Sequence, residues 1–170
     1  MRARKAHLRD AVAIHALIAA YAAEGILLPR TEENVREHLG TFLVLEDKGK
    51  IAGCVSLENY GFDLAEIRSL AVSSEIRGHG LGGRLVEFAL TEARRKKIAR
   101  VFAVTHAPEF FVRHGFAASS RHALPEKIER DCCTCPKARR CCLIAVIANV
   151  MPERVALPIV EGVVSPASVA

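Results

Sequence analysis

Within the alanine-rich stretch over residues 11–23, Ile14, Leu17, Ile18 and Tyr21 fall at i, i+3, i+4 and i+7, the spacing of one helical face. Asp10 stands in front of it as an N-cap, so a first core helix is predicted here. A loop over 25–30 follows, because Pro29 disfavours helical geometry at Leu28. Thr31 then caps a second, short helix, Glu32 and Glu33 complement its positive end, and Gly40 would close it in the left-handed conformation. Two β-branched and apolar runs, 41–46 and 51–59, flank Asp47-Lys48-Gly49-Lys50 and read as a hairpin. A third strand is predicted over 64–72, after a turn at Gly61. The glycine-bearing segment 73–80 opens directly into a long helix over 81–97, whose apolar face carries Leu81, Leu85, Ala89 and Ala93 with Val86 and Leu90. Residues 99–105 form another strand, Pro108 starts a short helix, Gly115-Phe116 returns to extended chain, and 143–150 is a last apolar strand. This order gives a mixed sheet with helices on its faces, an α/β or α+β architecture.

The 170 residues make one domain, with the fold in 1–150. Pro152, Pro158 and Pro166, set among small residues, mark 151–170 as a loosely docked or disordered tail. An apolar share of 51% with 25% charged residues excludes a disordered chain, and no apolar run reaches the ~18 residues of a membrane span. Arg2, Arg4, Lys5 and Arg9 before an alanine-rich stretch imitate a secretory signal, but the helical stripe favours a core helix. The net charge of +5 favours an anionic ligand and is too dispersed to single out nucleic acid. With no Trp and two Tyr, a base-stacking platform is poorly supported. The run Arg94-Arg95-Lys96-Lys97 reads as a solvated last helical turn. No nucleic-acid or membrane partner is expected, and self-association as a homodimer is left open.

Arg77-Gly78-His79-Gly80-Leu81-Gly82-Gly83 lies between a strand and a long helix, where small residues let backbone N–H groups approach an anion and the helix dipole favours negative charge. No Lys-Ser or Lys-Thr follows, which excludes a P-loop, and the third glycine of a dinucleotide fold is missing. The segment resembles the R-x-x-G-x-G pyrophosphate motif of the GNAT acetyltransferases, carried by Arg77, Gly80 and Gly82 after the strand end Leu70-Ala71-Val72. Phe110-Phe111-Val112-Arg113-His114-Gly115-Phe116 looks like that superfamily's aromatic helix followed by G-F. Gly25-Ile26-Leu27-Leu28-Pro29-Arg30, Ala65-Glu66-Ile67-Arg68-Ser69-Leu70-Ala71-Val72 and Leu124-Pro125-Glu126-Lys127, with Cys132 and Cys135-Pro136 beyond, are similar to the acetyltransferase domain of bacterial N-acetylglutamate synthases. Longer members of that family carry an amino-acid-kinase-like domain in front, for which these 170 residues leave no room.

The resemblance implies a mostly antiparallel sheet with helices on both faces, acetyl-CoA as co-substrate, L-glutamate or L-glutamine as acceptor, and the first step of arginine synthesis in the cytoplasm. It implies that the backbone of Leu70, Ala71 and Val72 pairs with the pantetheine arm. The loop Arg77, Gly78, His79, Gly80, Leu81, Gly82 and Gly83 would hold the pyrophosphate. It also places a working glutamate at Glu66, which would relieve the acceptor ammonium of a proton through water. Glu66 shares strand parity with Arg68 and Leu70 and can face the cleft, or it is a strand carboxylate paired with Arg68. Thr105 could order the relay water or be a passive strand-end hydroxyl. A backbone N–H around Ala71 could meet the oxyanion. Many superfamily members protonate the departing thiolate with a tyrosine where this chain has Phe111, leaving Ser69, water or unassisted release. A dicarboxylate acceptor calls for guanidinium forks, and Arg30, Arg68 and Arg113 are the candidates.

Cys54 reads as a small core hydrophobe. Cys132, Cys133, Cys135, Cys141 and Cys142 could be reduced thiols, a labile disulfide or a zinc site, and their clustering suggests a reducing cytosol. No metal is assigned to the reaction. A GNAT enzyme for another amine or a protein N-terminus, and a non-catalytic acetyl-CoA sensor, are the rival readings.

Overall fold

The computed structural model describes residues 1–76, 79–135, 138 and 141–151. Its strands are β1 (Arg2–Lys5), β2 (Phe42–Asp47), β3 (Lys50–Asn59), β4 (Leu64–Val72), β5 (Arg100–Thr105), β6 (Ala117–Ser119) and β7 (Ile144–Asn149), and its α-helices are α1 (Ala11–Ala23), α2 (Glu32–Glu37), α3 (Leu81–Arg95), α4 (Pro108–Val112) and α5 (Pro125–Lys127). The strands form one sheet in the order β1-β2-β3-β4-β5-β7-β6. Every neighbouring pair is antiparallel except β4 and β5, which α3 joins as a parallel crossover. The β2–β3 hairpin turns through Lys48 and Gly49, both at positive φ, which matches the twist of the paired strands.

One face of the sheet packs on α3 through Leu81, Leu85, Val86, Ala89 and Ala93. The other packs on α1 and α2, where Ile14, Ile18, Val35, Phe42, Val44, Cys54 and Ala71 are buried together. The apolar stripe of α1 is therefore the predicted one, with Leu17 and Tyr21 at its margin. Thr31 caps α2 by accepting a hydrogen bond from the Asn34 N–H at 3.1 Å.

The structure departs from the sequence pattern in four places. Residues 2–5 form an edge strand, and Arg4 from it chelates Asp10 at 2.6 and 3.0 Å. Asp10 spends its carboxylate on that pair and on the His7 N–H at 2.7 Å, so it does not cap α1. The α2 helix closes at His38 and runs into a 3₁₀ turn over Leu39–Thr41, so Gly40 is not its left-handed cap. Finally, Ser69 takes φ 50° within β4. Cys54 pairs with Ala71 and Ser56 with Arg68, so Ser69 and Leu70 stand opposite Val55 alone, the geometry of a β-bulge.

Residues 152–170 lie outside the described residues, and the tail expectation with them. No helix among the described residues is long and apolar enough to cross a membrane.

Candidate active site

The parallel ladder between β4 and β5 holds only Leu64 to Arg100, Ala65 to Val101 and Glu66 to Phe102. Past Glu66 the two strands part, because β5 follows β7 as far as Thr105 while β4 bulges at Ser69. The bulge also flips the alternation. Glu66 and Arg68 lie on the α1/α2 face with Ala71, whereas Leu70 and Val72 pack toward α3. The parity expected for Leu70 is thereby corrected, since one extra residue separates it from Arg68.

On the α3 side of the wedge, Gly80 adopts φ 70° at the N-cap of α3 and turns the chain into the helix. A cleft of about 400 Å³ opens there, lined by Val72, Ile76, Gly80–Gly83, Phe110, Arg113 and His114. At Gly83 the absence of a side chain is spatially required, and at Gly82 a side chain would crowd its neighbour. A Cβ on Gly82 would stand 3.3 Å from the Phe110 ring, and one on Gly83 would stand 2.7 Å from His114 Nε2. A helix N-terminus stripped of side chains in this way suits a phosphate group. His79 is exposed with its Nδ1 3.2 Å from the Ile76 carbonyl, and Leu81 is buried as the first residue of α3. Arg77 and Gly78, part of the expected cradle, lie outside the described residues. At Val72 the Tyr21 hydroxyl donates to the carbonyl at 2.9 Å, a contact from α1 that the helical stripe had not suggested.

Phe111 is 5% exposed and packs edge-on against Phe116, so neither its chemistry nor its position supplies a proton to the cleft. Arg113 is exposed and lines this same cleft beside the start of α3, whereas Arg30 and Arg68 pair with Glu58 on the other face of the sheet, so it does not join the acceptor arginines.

On the opposite face, polar side chains that alternate along β3 and β4 are buried together. Glu58 pairs with Arg30, with Arg68 at 3.2 Å and with Arg130 at 3.6 Å, and accepts from the Ser56 hydroxyl at 3.3 Å. Glu66 is 3% exposed. Its Oε2 accepts from the Tyr60 hydroxyl at 2.7 Å and from Lys127 Nζ at 2.8 Å, with Arg68 Nε at 3.6 Å. Asp131 Oδ2 faces the same Lys127 at 2.5 Å and Arg68 Nη1 at 3.4 Å, and it also meets the Tyr60 hydroxyl. Arg130 stacks over the Tyr60 ring at 4.3 Å.

The charges set the titration of these groups. Burial raises the Glu58 carboxyl, but Arg30, Arg68 and Arg130 outweigh it and hold the group below the usual carboxylate range. Asp131 is likewise raised by burial and lowered further by Lys127 and Tyr60. The Tyr60 phenol is pushed well up, first by burial and then by the Glu66 charge beside it, so it stays a donor. Among the described residues, Arg30, Arg68, Lys127 and Arg130 face Glu58, Glu66 and Asp131, which leaves one cation in excess.

Sequence reasoning named Glu66, Arg30 and Arg68, and the structure brings all three together. It missed Glu58, Tyr60, Lys127 and Asp131 as site residues. Ser56 and Glu58 on β3 and Tyr60 just past its end recur with period two after the apolar run at 51–55, and that alternation is the signal that could have found two of them. Thr105 lies half-buried at the end of β5, where its Oγ1 accepts from the Ala107 N–H at 3.0 Å. The Ser69 carbonyl accepts from Cys54, whose thiol burial pushes up to about 12 and leaves it inert. All six cysteines are free thiols, and among the described residues no three of His, Cys, Asp or Glu are grouped to hold a metal.

Residues 12–116 match the family described as Acetyltransferase (GNAT) family. An uncharacterised N-acetyltransferase of Chlorobaculum tepidum is 42% identical over 144 residues, covering 85% of this chain and 93% of that one. An amino-acid acetyltransferase of Neisseria meningitidis is 38% identical over 130 residues, covering 75% of this chain but 30% of its own. Among solved structures, N-acetylglutamate synthase from Neisseria gonorrhoeae, complexed with coenzyme A and N-acetyl-glutamate, superposes with a TM-score of 0.80 at 31% identity, over 89% of this chain and 35% of that one. A Mycobacterium tuberculosis protein solved in complex with CoA superposes with a TM-score of 0.77 at 29% identity, over 89% of this chain and 100% of that one. The chain belongs to the GNAT family of acetyltransferases.

Proposed function

We infer that this chain transfers the acetyl group of acetyl-CoA to the α-amine of an acidic amino acid, L-glutamate, as the first step of arginine synthesis. The observation that carries the reading is the buried cluster at the mouth of the β4–β5 wedge, in which Arg68 and Lys127 hold Glu66 and Arg30 and Arg68 hold Glu58. Its one excess cation is neutralised by an acceptor of net charge minus one, which glutamate supplies and the zwitterion glutamine does not. The relatives point the same way, since several are amino-acid acetyltransferases and one neighbour was solved with N-acetyl-glutamate.

In this reading the glycine-rich start of α3 holds the pyrophosphate of acetyl-CoA, and the free edge of β4 past Glu66 pairs with its pantetheine arm. Glu66 takes a proton from the acceptor ammonium through water, with Thr105 placed at the opposite strand end to order it. The freed amine attacks the thioester carbonyl, and a backbone N–H around Ala71 meets the oxyanion. The C–S bond then breaks. The nitrogen then gives up its second proton, which passes to the departing sulfur through water or through the Ser69 hydroxyl, the hydroxyl donating one proton as it accepts the other. No aromatic hydroxyl is needed, because a thiol of ordinary pKa, about 8.5, leaves a weakly basic anion.

The test is CoA release from acetyl-CoA with a panel of amino acids, amines and short peptides. Glutamate is expected to give the highest kcat/KM. A panel in which glutamine, a simple amine or a peptide N-terminus exceeds it, or in which none is acetylated, refutes the reading.

A further inference from the structure

The three carboxylates of the acceptor cluster are not equivalent. Glu58 and Glu66 are strand residues whose backbone is fixed in the β3–β4 ladder and whose side chains are each 4% exposed. Asp131 is 26% exposed and sits in a single π turn, Ile128–Cys132, a helix geometry that natural chains use sparingly and often at functional positions. Leu124, fully buried, anchors the chain just before it.

One oxygen of Asp131 collects the Lys127 ammonium at 2.5 Å, the Arg68 guanidinium at 3.4 Å and the Tyr60 hydroxyl. Two cations around a single carboxylate oxygen, with a hydroxyl whose one proton goes either to it or to Glu66, are the donors that a bound carboxylate ligand would need. Lys127 and Tyr60 also hold Glu66, so a carboxylate in that place lies beside the base. Withdrawal of Asp131 from this contact frees Arg68 and Lys127, the two cations on which an acceptor carboxylate can take its place, while Arg30, Arg68 and Arg130 stay on Glu58.

We propose that the Asp131 carboxylate is an internal plug that occupies the place of an acceptor carboxylate and is displaced from Arg68 and Lys127 when a dicarboxylic amino acid binds. The proposal rests on the acidic-acceptor reading given above. A plug lowers apparent affinity by the fraction of molecules in which it is seated, so removing it tightens acceptor binding. A residue that merely held Lys127 in place would do the opposite.

The experiment is steady-state kinetics of the full chain, wild type, Asp131→Asn and Asp131→Ala, with glutamate and acetyl-CoA varied in turn. Both variants should lower the glutamate KM by about tenfold and leave the acetyl-CoA KM unchanged. Sodium acetate should inhibit Asp131→Ala competitively with glutamate at concentrations that leave the wild type untouched. If Asp131→Ala fails to fold, the isosteric Asp131→Asn carries the kinetic readout. A glutamate KM that is unchanged or raised, in a wild type that acetylates glutamate, overturns the plug and leaves the function standing. A wild type that acetylates no acidic amino acid overturns the function. Calorimetry with glutarate then decides the plug by itself, since equal binding to wild type and variant removes it.

Discussion

Replacing Arg30 by Ala tests whether the acceptor cluster is a network or a row of separate forks. Arg30 and Glu58 have side chains 11% and 4% exposed, so the substitution leaves a buried carboxylate short of its nearest partner. Breaking a buried pair from one side costs about 3–5 kcal/mol when nothing else compensates. Here Arg68 at 3.2 Å and Arg130 at 3.6 Å remain on Glu58, which places the expected loss lower. A loss of about 2–3 kcal/mol corresponds to about 5–10 °C in Tm for a domain of this size. Thermal melts at neutral pH of the wild type, Arg30→Ala, Glu58→Gln and the double variant give the measurement. The double variant should be more stable than the two single losses sum to, by about 1 kcal/mol or more, because the second change removes the orphaned charge.

The pH dependence has a definite sign. Glu58 titrates below its ordinary range when folded, so its contribution is present above the unfolded pKa and is lost as the pH falls through the folded value. Without Arg30 that folded value rises, and the acid unfolding midpoint should move to higher pH. Strictly additive losses in the double variant, or an unmoved acid midpoint, would refute the network.

Three further outcomes follow from the geometry. Glu66→Gln should lower kcat by about 10²–10⁴-fold at neutral pH with partial recovery in alkali, where free amine is plentiful; an unchanged pH–kcat profile returns Glu66 to a structural role. Gly83→Ala sets a methyl against His114, so it should raise the acetyl-CoA KM, and Gly83→Ala/His114→Ala should restore it; failure of the pair to recover removes His114 as the obstacle. Ser69→Gly should keep the fold and acetyl-CoA binding because glycine accepts φ 50°, whereas Ser69→Val should lose acetyl-CoA binding by straightening the bulge; equal acetyl-CoA titrations of the two variants would count against that role for the bulge.

The elements that sequence revealed are those whose signals are local. The stripe Ile14, Leu17, Ile18, Tyr21 and the Lys48-Gly49 turn each declare themselves within a few residues. The edge strand at 2–5 does not, because three of its four residues are basic and its pairing depends on β2 and on Asp10. Ser69 gives no sign of a left-handed backbone, so the parity of Leu70 could not be read correctly. The site divides in the same way. Arg30, Glu66 and Arg68 lie in recognisable segments, but Tyr60 meets Asp131 across 71 residues and Lys127 meets Glu66 across 61, contacts that only the folded chain creates.

The wedge between β4 and β5 has a consequence for how firmly the molecule holds together. Among the described residues, the β4–β5 ladder holds only the pairs from Leu64–Arg100 to Glu66–Phe102, and the rest of the connection runs through side chains, the core under α3 on one face and Tyr60, Leu64, Phe102, Leu124 and Ala145 on the other. Any ligand that bridges the parted edges adds to the cohesion of the two halves as well as filling a site. Its occupancy is then legible as heat resistance: at a hundredfold excess over Kd, a ligand confined to the native state contributes about 2.7 kcal/mol. The protein at work, saturated with its substrate, is to that extent a sturdier object than the same chain alone.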